Sequence, residues 1–244
     1  MPPLPPQLTP LLPVLACGGV ELQLTKLNQE LKAKLEDGFK QNGQRTWVQV
    51  LCNSAGGSLL CLAARLSLPP TLPGELSSTA ASPANTALLA GFLGHYACCC
   101  ADTWASEVGI LSSKPPRLVT TLKVVPPGTN GGVSALGLLA SASGGLFMGV
   151  VFWLAGSTSQ SDSMAWRAVL LGLASGLLGS LIDSLLGATV QYSGFCERTR
   201  RVVAAPRQGV KHVSGVALLG NHAVNAVSAA ATALAAAAAA SLLI

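Results

Sequence analysis

The sequence predicts an all-α, polytopic membrane helix bundle with about five transmembrane helices, and three observations carry that expectation. Half of the 244 residues are hydrophobic, 10% are charged and the mean hydropathy is +0.52, too few charges to coat a water-facing surface of this size. Five stretches approach or exceed the roughly 20 apolar residues a helix needs to cross about 30 Å of hydrocarbon. The basic residues then sort by loop, as expected when cytoplasmic loops carry an excess of Lys and Arg. With five spans, 13 of the 15 fall on one side and only Arg65 and Arg167 on the other. That sorting places the N-terminus in the cytoplasm.

Residues 1–20, "MPPLPPQLTPLLPVLACGGV", lack a positive n-region, and proline interrupts their apolar part, so they read as a disordered proline-rich leader rather than a signal peptide. Residues 21–45 form a charged cytoplasmic segment, and residues 46–244 the integral membrane domain. The expected spans are 46–64, 85–103, 131–155, 165–190 and 221–244. The first carries Gln49 and Asn53 inside its apolar run. Stripes of small residues on the third (Gly137, Ser141, Gly145, Gly149) and fourth (Gly172, Gly176, Ser180) provide close-packing surfaces. The last span ends in low-complexity alanine, helical by propensity. Seven cysteines show neither disulfide nor zinc spacing, so Cys98–Cys100 read as small apolar helix residues. His95 and Cys99, four apart, read as packing rather than as metal ligands.

Candidate functional residues are the polar groups that a membrane helix carries only at a cost. Arg45, Gln49 and Asn53 recur at i, i+4 and i+8, a ladder reaching about 12 Å inward from the cytoplasmic end of the first span. Asn221, Asn225 and Ser228 repeat the pattern on the fifth. Asp102 and Glu107 close the second span, and Asp183 stands seven residues from the end of the fourth; an ionisable group at that depth marks a functional site. The segment Gly128–Gly132, "GTNGG", opens a helix and can aim backbone amides at an anion, although it matches neither a P-loop nor GxGxxG. Lys114, Arg117 and Lys123 lie nearby. All these groups fall toward the cytoplasmic half, which predicts one shared polar pocket open to cytosol and lipid.

The segments "DGFKQNGQRTWVQVLCN", "ADTWASEVG", "PPRLVTTLKVVPPGTNGGVSALG", "GSLIDSLLGATVQYSG" and "NHAVN" resemble, in order, the signatures of the transmembrane protein 19 family, which includes the plant and cyanobacterial phytyl-phosphate kinases. Family members usually carry further hydrophobic segments before the Arg45 region, so the chain reads as N-terminally truncated, and the family's usual Gly-Asp is Ala101-Asp102 here. The resemblance implies transfer of a phosphoryl group from a nucleoside triphosphate, CTP or ATP, to an isoprenoid monophosphate. A phosphate oxygen is already largely ionised at neutral pH, so the reaction needs alignment and charge neutralisation more than a base.

On that reading Asp102 and Asp183, with Glu107 third, are the expected ligands of Mg²⁺, which takes oxygen donors. Arg45 and Lys123 neutralise phosphate charge. The amides near Gly128 and Gly131, with Thr129 and Asn130, hold a phosphoryl group. Gln49, Asn53, Asn221 and Asn225 orient carboxylates or donate to phosphate. The expected partners are the bilayer and an isoprenoid phosphate, with no nucleic acid, and the endoplasmic reticulum is the default membrane. A transporter is the alternative from another class, since intramembrane carboxylates and glycine-interrupted helices also mark transport paths. A non-catalytic membrane protein of the same family is the third reading.

Overall fold

The structure is a computed structural model that describes residues 15, 18–19, 31–35, 46–67, 82–156 and 162–243. Most of the expected leader and charged segment, Arg45 included, lies outside the described residues. Five long helices dominate: α1 (Trp47–Leu66), α2 (Pro83–Gly109), α3 (Ala135–Gly156), α4 (Asp162–Val190) and α5 (Asn221–Leu243). Thr46 caps α1, its hydroxyl accepting from the Gln49 amide at 3.3 Å. Ser82 does the same for α2 toward Asn85, with Pro83 at the first helical position, where its missing N–H costs nothing.

Four of these helices (α1, α3, α4 and α5) are long and apolar enough to cross a membrane. The remaining one, α2, is the axis of the bundle. It buries Phe92, Leu93, Tyr96, Ala97, Cys98, Cys100 and Ala101, and it carries Asn85 and His95, which lower its hydropathy. Those polar groups are answered by α1: Asn85 Nδ2 donates to the Ala64 carbonyl at 2.7 Å, and His95 Nε2 lies 2.8 Å from the Asn53 carbonyl. Large apolar side chains on the other helices face outward instead, among them Leu59, Leu62, Leu146, Leu170, Leu185 and Leu234. An exposed leucine surface of this kind is what a lipid-facing wall presents.

Small residues set how closely the helices approach. A Cβ added at Gly145 would sit 2.5 Å from the Gly172 carbonyl oxygen, and one at Gly149 would sit 2.7 Å from the Val169 Cα. Helices α3 and α4 therefore meet backbone to backbone, the geometry that small-residue stripes permit. Gly144 packs in the same way on Ala101 of α2, and Gly94 of α2 on Thr232 and Ala236 of α5. Between α3 and α4 the Ser141 hydroxyl donates to Ser180 Oγ at 2.8 Å.

Two small sheets, which the sequence reading did not include, sit in the connections. Strands β1 (Arg117–Leu118) and β2 (Gly132–Val133) pair antiparallel, with Leu118 opposite Gly132. After α4, strands β3 (Ser193–Cys196), β4 (Arg201–Val203) and β5 (Val210–Ser214) form an antiparallel sheet in the order β4-β3-β5. Both lie at the end of the bundle where α1, α3 and α5 begin and α2 and α4 finish.

Candidate functional site

That end holds a cavity of about 590 Å³ whose wall draws on all five helices. The first turns of α1 bring Gln49 and Asn53, the last turns of α2 bring Asp102 and Glu107, and the last turns of α4 bring Asp183, with Gln191 just past its end. Helix α5 adds Asn221 and Asn225, and the loop before β2 adds Gly128, Thr129, Asn130 and Gly131. Side chains from five separate stretches of sequence thus share one space. Lys123 does not line it. Residues 119–122 turn tightly, with Leu122 at φ 57°, and leave Lys123 exposed on the outer side. The lysines in the wall are Lys114 and Lys32.

Asp183 is half-buried, and its Oδ2 accepts from the Ser228 hydroxyl at 3.0 Å. That hydroxyl also lies 3.1 Å from the Asn225 carbonyl, and the Cys98 thiol donates to it at 3.9 Å. Ser228 therefore ties α5 to α4 beside the carboxylate, with Cys98 one helical turn from Asp102. On α1, Asn53 gives its backbone carbonyl to His95 of α2, while its buried side-chain Oδ1 has no hydrogen-bond partner among the described residues. A buried acceptor left without a donor is uncommon.

The glycine-rich loop is held more tightly than its sequence suggests. The Thr129 hydroxyl donates to the Pro126 carbonyl at 2.7 Å, and the Asn130 amide donates to Ser193 Oγ at 3.0 Å. Asn130 Nδ2 donates to the Tyr192 carbonyl at 3.3 Å, and the Gly132 amide to the Thr129 carbonyl at 2.9 Å. Thr129 thus spends its hydroxyl donor within the loop, and Asn130 spends its donors on tying the loop to Tyr192 and Ser193 at the start of β3. Gly128 and Gly131, at φ 87° and 75°, adopt the left-handed conformation that glycine tolerates best. Gly131 rests directly on α4, where a Cβ would strike Ala188 and the Ser184 carbonyl.

The residue that local sequence patterns missed is Lys32. Its Nζ lies 2.9 Å from Glu107 Oε1, across 75 positions of chain, and no spacing rule connects such distant residues. His95 and Cys99 behave as packing residues: the ring is buried against Gly56, and the thiol points at the Asn53 carbonyl. Among the described residues no group of three or more His, Cys, Asp and Glu side chains is placed to hold a metal ion.

A bundle of lipid-facing helices enclosing a polar cavity at one end defines an integral, multi-pass membrane protein. The chain belongs to the DUF92 family of integral membrane proteins, whose profile matches residues 9–233. It is 46% identical to Protein PGR of Arabidopsis thaliana over 84% of this chain and 73% of that one. It is 29% identical to Protein VTE6, chloroplastic, of the same plant, over 68% of this chain and 45% of that one. An uncharacterized membrane protein of Synechocystis sp. is 29% identical over 73% of this chain and 62% of its own length. The chain thus spans less than two thirds of the latter two relatives. No solved structure matches it.

Proposed function

We propose that the protein is an isoprenoid-phosphate kinase of the kind the transmembrane protein 19 resemblance implies, and that the cavity is its active site. The observation that carries the reading is the meeting of Asp102, Asp183 and the Gly128–Gly131 loop in one cavity at the end of a membrane bundle. A lipid monophosphate can place its head there while its tail lies along the lipid-facing helices. The attacking group is an oxygen of the monophosphate. It bonds to the γ-phosphorus of the nucleoside triphosphate as the bridging P–O bond breaks and the nucleoside diphosphate leaves with that electron pair. No proton need be removed from the acceptor, which fits a cavity in which no histidine lines the wall among the described residues.

Charge decides what else is required. Among the described residues the wall carries three carboxylates (Asp102, Glu107 and Asp183) against two lysines (Lys32 and Lys114), so these groups alone do not offset the charge of two polyphosphates. A divalent cation removes that conflict. Mg²⁺ is commonly held by one or two carboxylates, with phosphates and water completing the shell. Asp102 and Asp183 would supply the carboxylates, and Asn53 Oδ1, without a partner among the described residues, a further hard oxygen acceptor in the same cavity. On this reading these oxygens would hold Mg²⁺, which would neutralise phosphate charge there. The protein's own groups do the remainder. The Gly128 and Gly131 amides approach the phosphoryl oxygens, Gln49, Asn221 and Asn225 donate to phosphate, and Ser228 fixes the Asp183 carboxylate. Arg45, outside the described residues, stays in the proposal as a phosphate-neutralising cation, whereas Lys123 does not line the cavity. The cavity end faces the cytosol, with the endoplasmic reticulum as the host membrane.

The test is direct: purified protein in detergent, geranylgeranyl or phytyl monophosphate, Mg²⁺ and labelled CTP or ATP. Diphosphate product is the expected result. Its absence with every pairing of lipid and nucleotide, from protein shown to be folded, would overturn the reading. Substrate uptake into sealed vesicles by the same preparation would then favour a transporter.

A further inference from the structure

One partly buried cation reaches the cavity from outside the five helices. Lys32 belongs to the helical stretch 31–35, and its ammonium meets Glu107 at 2.9 Å with the two side chains 12% and 4% exposed. Taking both charges out of water is costly, and such a pair often stabilises a fold no better than apolar side chains of equal volume would. Cohesion alone is therefore a poor reason for this pair to form the wall of a cavity. An ammonium has three N–H donors, and Glu107 Oε1 accepts one of them. No other acceptor for Lys32 is present among the described residues, so the remaining donors are left for what the cavity contains. Lys114, the other lysine of the wall, is exposed and is screened by water accordingly.

We infer that Lys32 is a phosphate-binding residue of this cavity, carried in by the stretch that precedes α1, and that Glu107 is the positioning residue for its ammonium rather than a metal ligand. The ligand class is an anion with several phosphate oxygens. Its identity as a kinase substrate rests on the function proposed above, whereas the binding chemistry does not. A compact, partly desolvated ammonium held by one carboxylate is a strong point charge for a phosphate oxygen.

Inorganic pyrophosphate serves as the probe, with binding to the full chain in detergent followed by calorimetry. Lys32→Ala is expected to weaken binding about 10- to 100-fold, the worth of one charge-assisted hydrogen bond, and Lys32→Arg to recover part of the loss. The double variant Lys32→Ala with Glu107→Gln removes both charges and so relieves any folding defect left by an unpaired glutamate. It is expected to regain the thermal midpoint while pyrophosphate binding stays weak. Recovery of binding in the double variant, or wild-type binding in Lys32→Ala, would overturn the inference, as would a wild-type protein that binds no pyrophosphate. Glu107→Gln is expected to leave the Mg²⁺ concentration for half-maximal kinase activity unchanged, and a rise matching that of Asp102→Asn would return Glu107 to the metal. A wild type that binds pyrophosphate through Lys32 yet makes no lipid diphosphate would sink the kinase reading while upholding this one.

Discussion

Replacing Gly131 with alanine tests whether the cavity's loop is built against α4 as described. At φ 75° a side chain incurs the left-handed penalty, and the new Cβ would lie 2.5 Å from both the Ala188 methyl and the Ser184 carbonyl oxygen, and 2.6 Å from the Ala188 nitrogen. Two of those three atoms are backbone, so no rotamer change relieves the clash. The conformational term costs about 1–2 kcal/mol and overpacking against a fixed neighbour about 1–3 kcal/mol. Together they predict a loss of about 2–5 kcal/mol. Two other glycines separate the terms. Gly209 has the same conformation, φ 76°, with nothing within 4 Å, and Gly220 has neither the conformation nor the neighbours. Gly209→Ala should therefore lose only about 1–2 kcal/mol, and Gly220→Ala, at the N-cap of α5, no more than about 1 kcal/mol. Thermal midpoints by intrinsic tryptophan fluorescence in one detergent rank the three. Gly131→Ala is expected to fall furthest and to lose pyrophosphate binding as the loop lifts from α4. A Gly131→Ala protein as stable as Gly209→Ala would refute the contact.

Further outcomes follow from the same structure. Asp102→Asn and Asp183→Asn each remove a charge at nearly constant volume. Lipid-phosphate phosphorylation should drop at least about 100-fold and require more Mg²⁺, and unchanged turnover in either variant would remove that residue from the site. Asn85→Ala deletes the 2.7 Å bond to the Ala64 carbonyl and is expected to cost about 0.6–1.7 kcal/mol, the range for interhelical hydrogen bonds in membranes; an unmoved thermal midpoint would show the bond to be idle. Outside the membrane, hydrogen bonds from the Thr199 hydroxyl and backbone hold the Cys196 thiol below its usual range. Its thiolate therefore persists to lower pH than that of an ordinary cysteine. In Thr199→Val the pH profile of maleimide labelling at Cys196, read by peptide mass spectrometry, should shift to higher pH; an unshifted profile would show that the hydroxyl does not set it.

The gathering of polar residues at one end was legible because the period of a helix and the sorting of basic residues are both local, countable signals. Gln49 and Asn53 on one face, and Asn221 and Asn225 on another, needed nothing beyond the helical repeat to be aimed inward. Other features depended on long-range partners. Lys32 became a cavity residue through Glu107, far along the chain, and nothing in its own surroundings announces that. Lys123 looked well placed by sequence distance, but the turn before it reverses the chain and carries it outward. The donors of Thr129 and Asn130 looked available for an anion, but the Pro126 carbonyl takes the first and Ser193 with the Tyr192 carbonyl takes those of the second. Strands of two to five residues carry too short a repeat to stand out from loops. The hydropathy of α2 also misleads in isolation, because its His95 and Asn85 are satisfied by α1 rather than by water.

That last pairing bears on how the protein is made. The ribosome releases α2 before α3, α4 or α5 exist, so the helix destined for the centre of the bundle first meets lipid without most of its eventual neighbours. What it does have is α1, whose Ala64 and Asn53 carbonyls already await Asn85 and His95. The two helices can therefore leave the insertion machinery as a hairpin with its polar groups already matched. The later helices then assemble around a core that has stopped being a liability to the membrane.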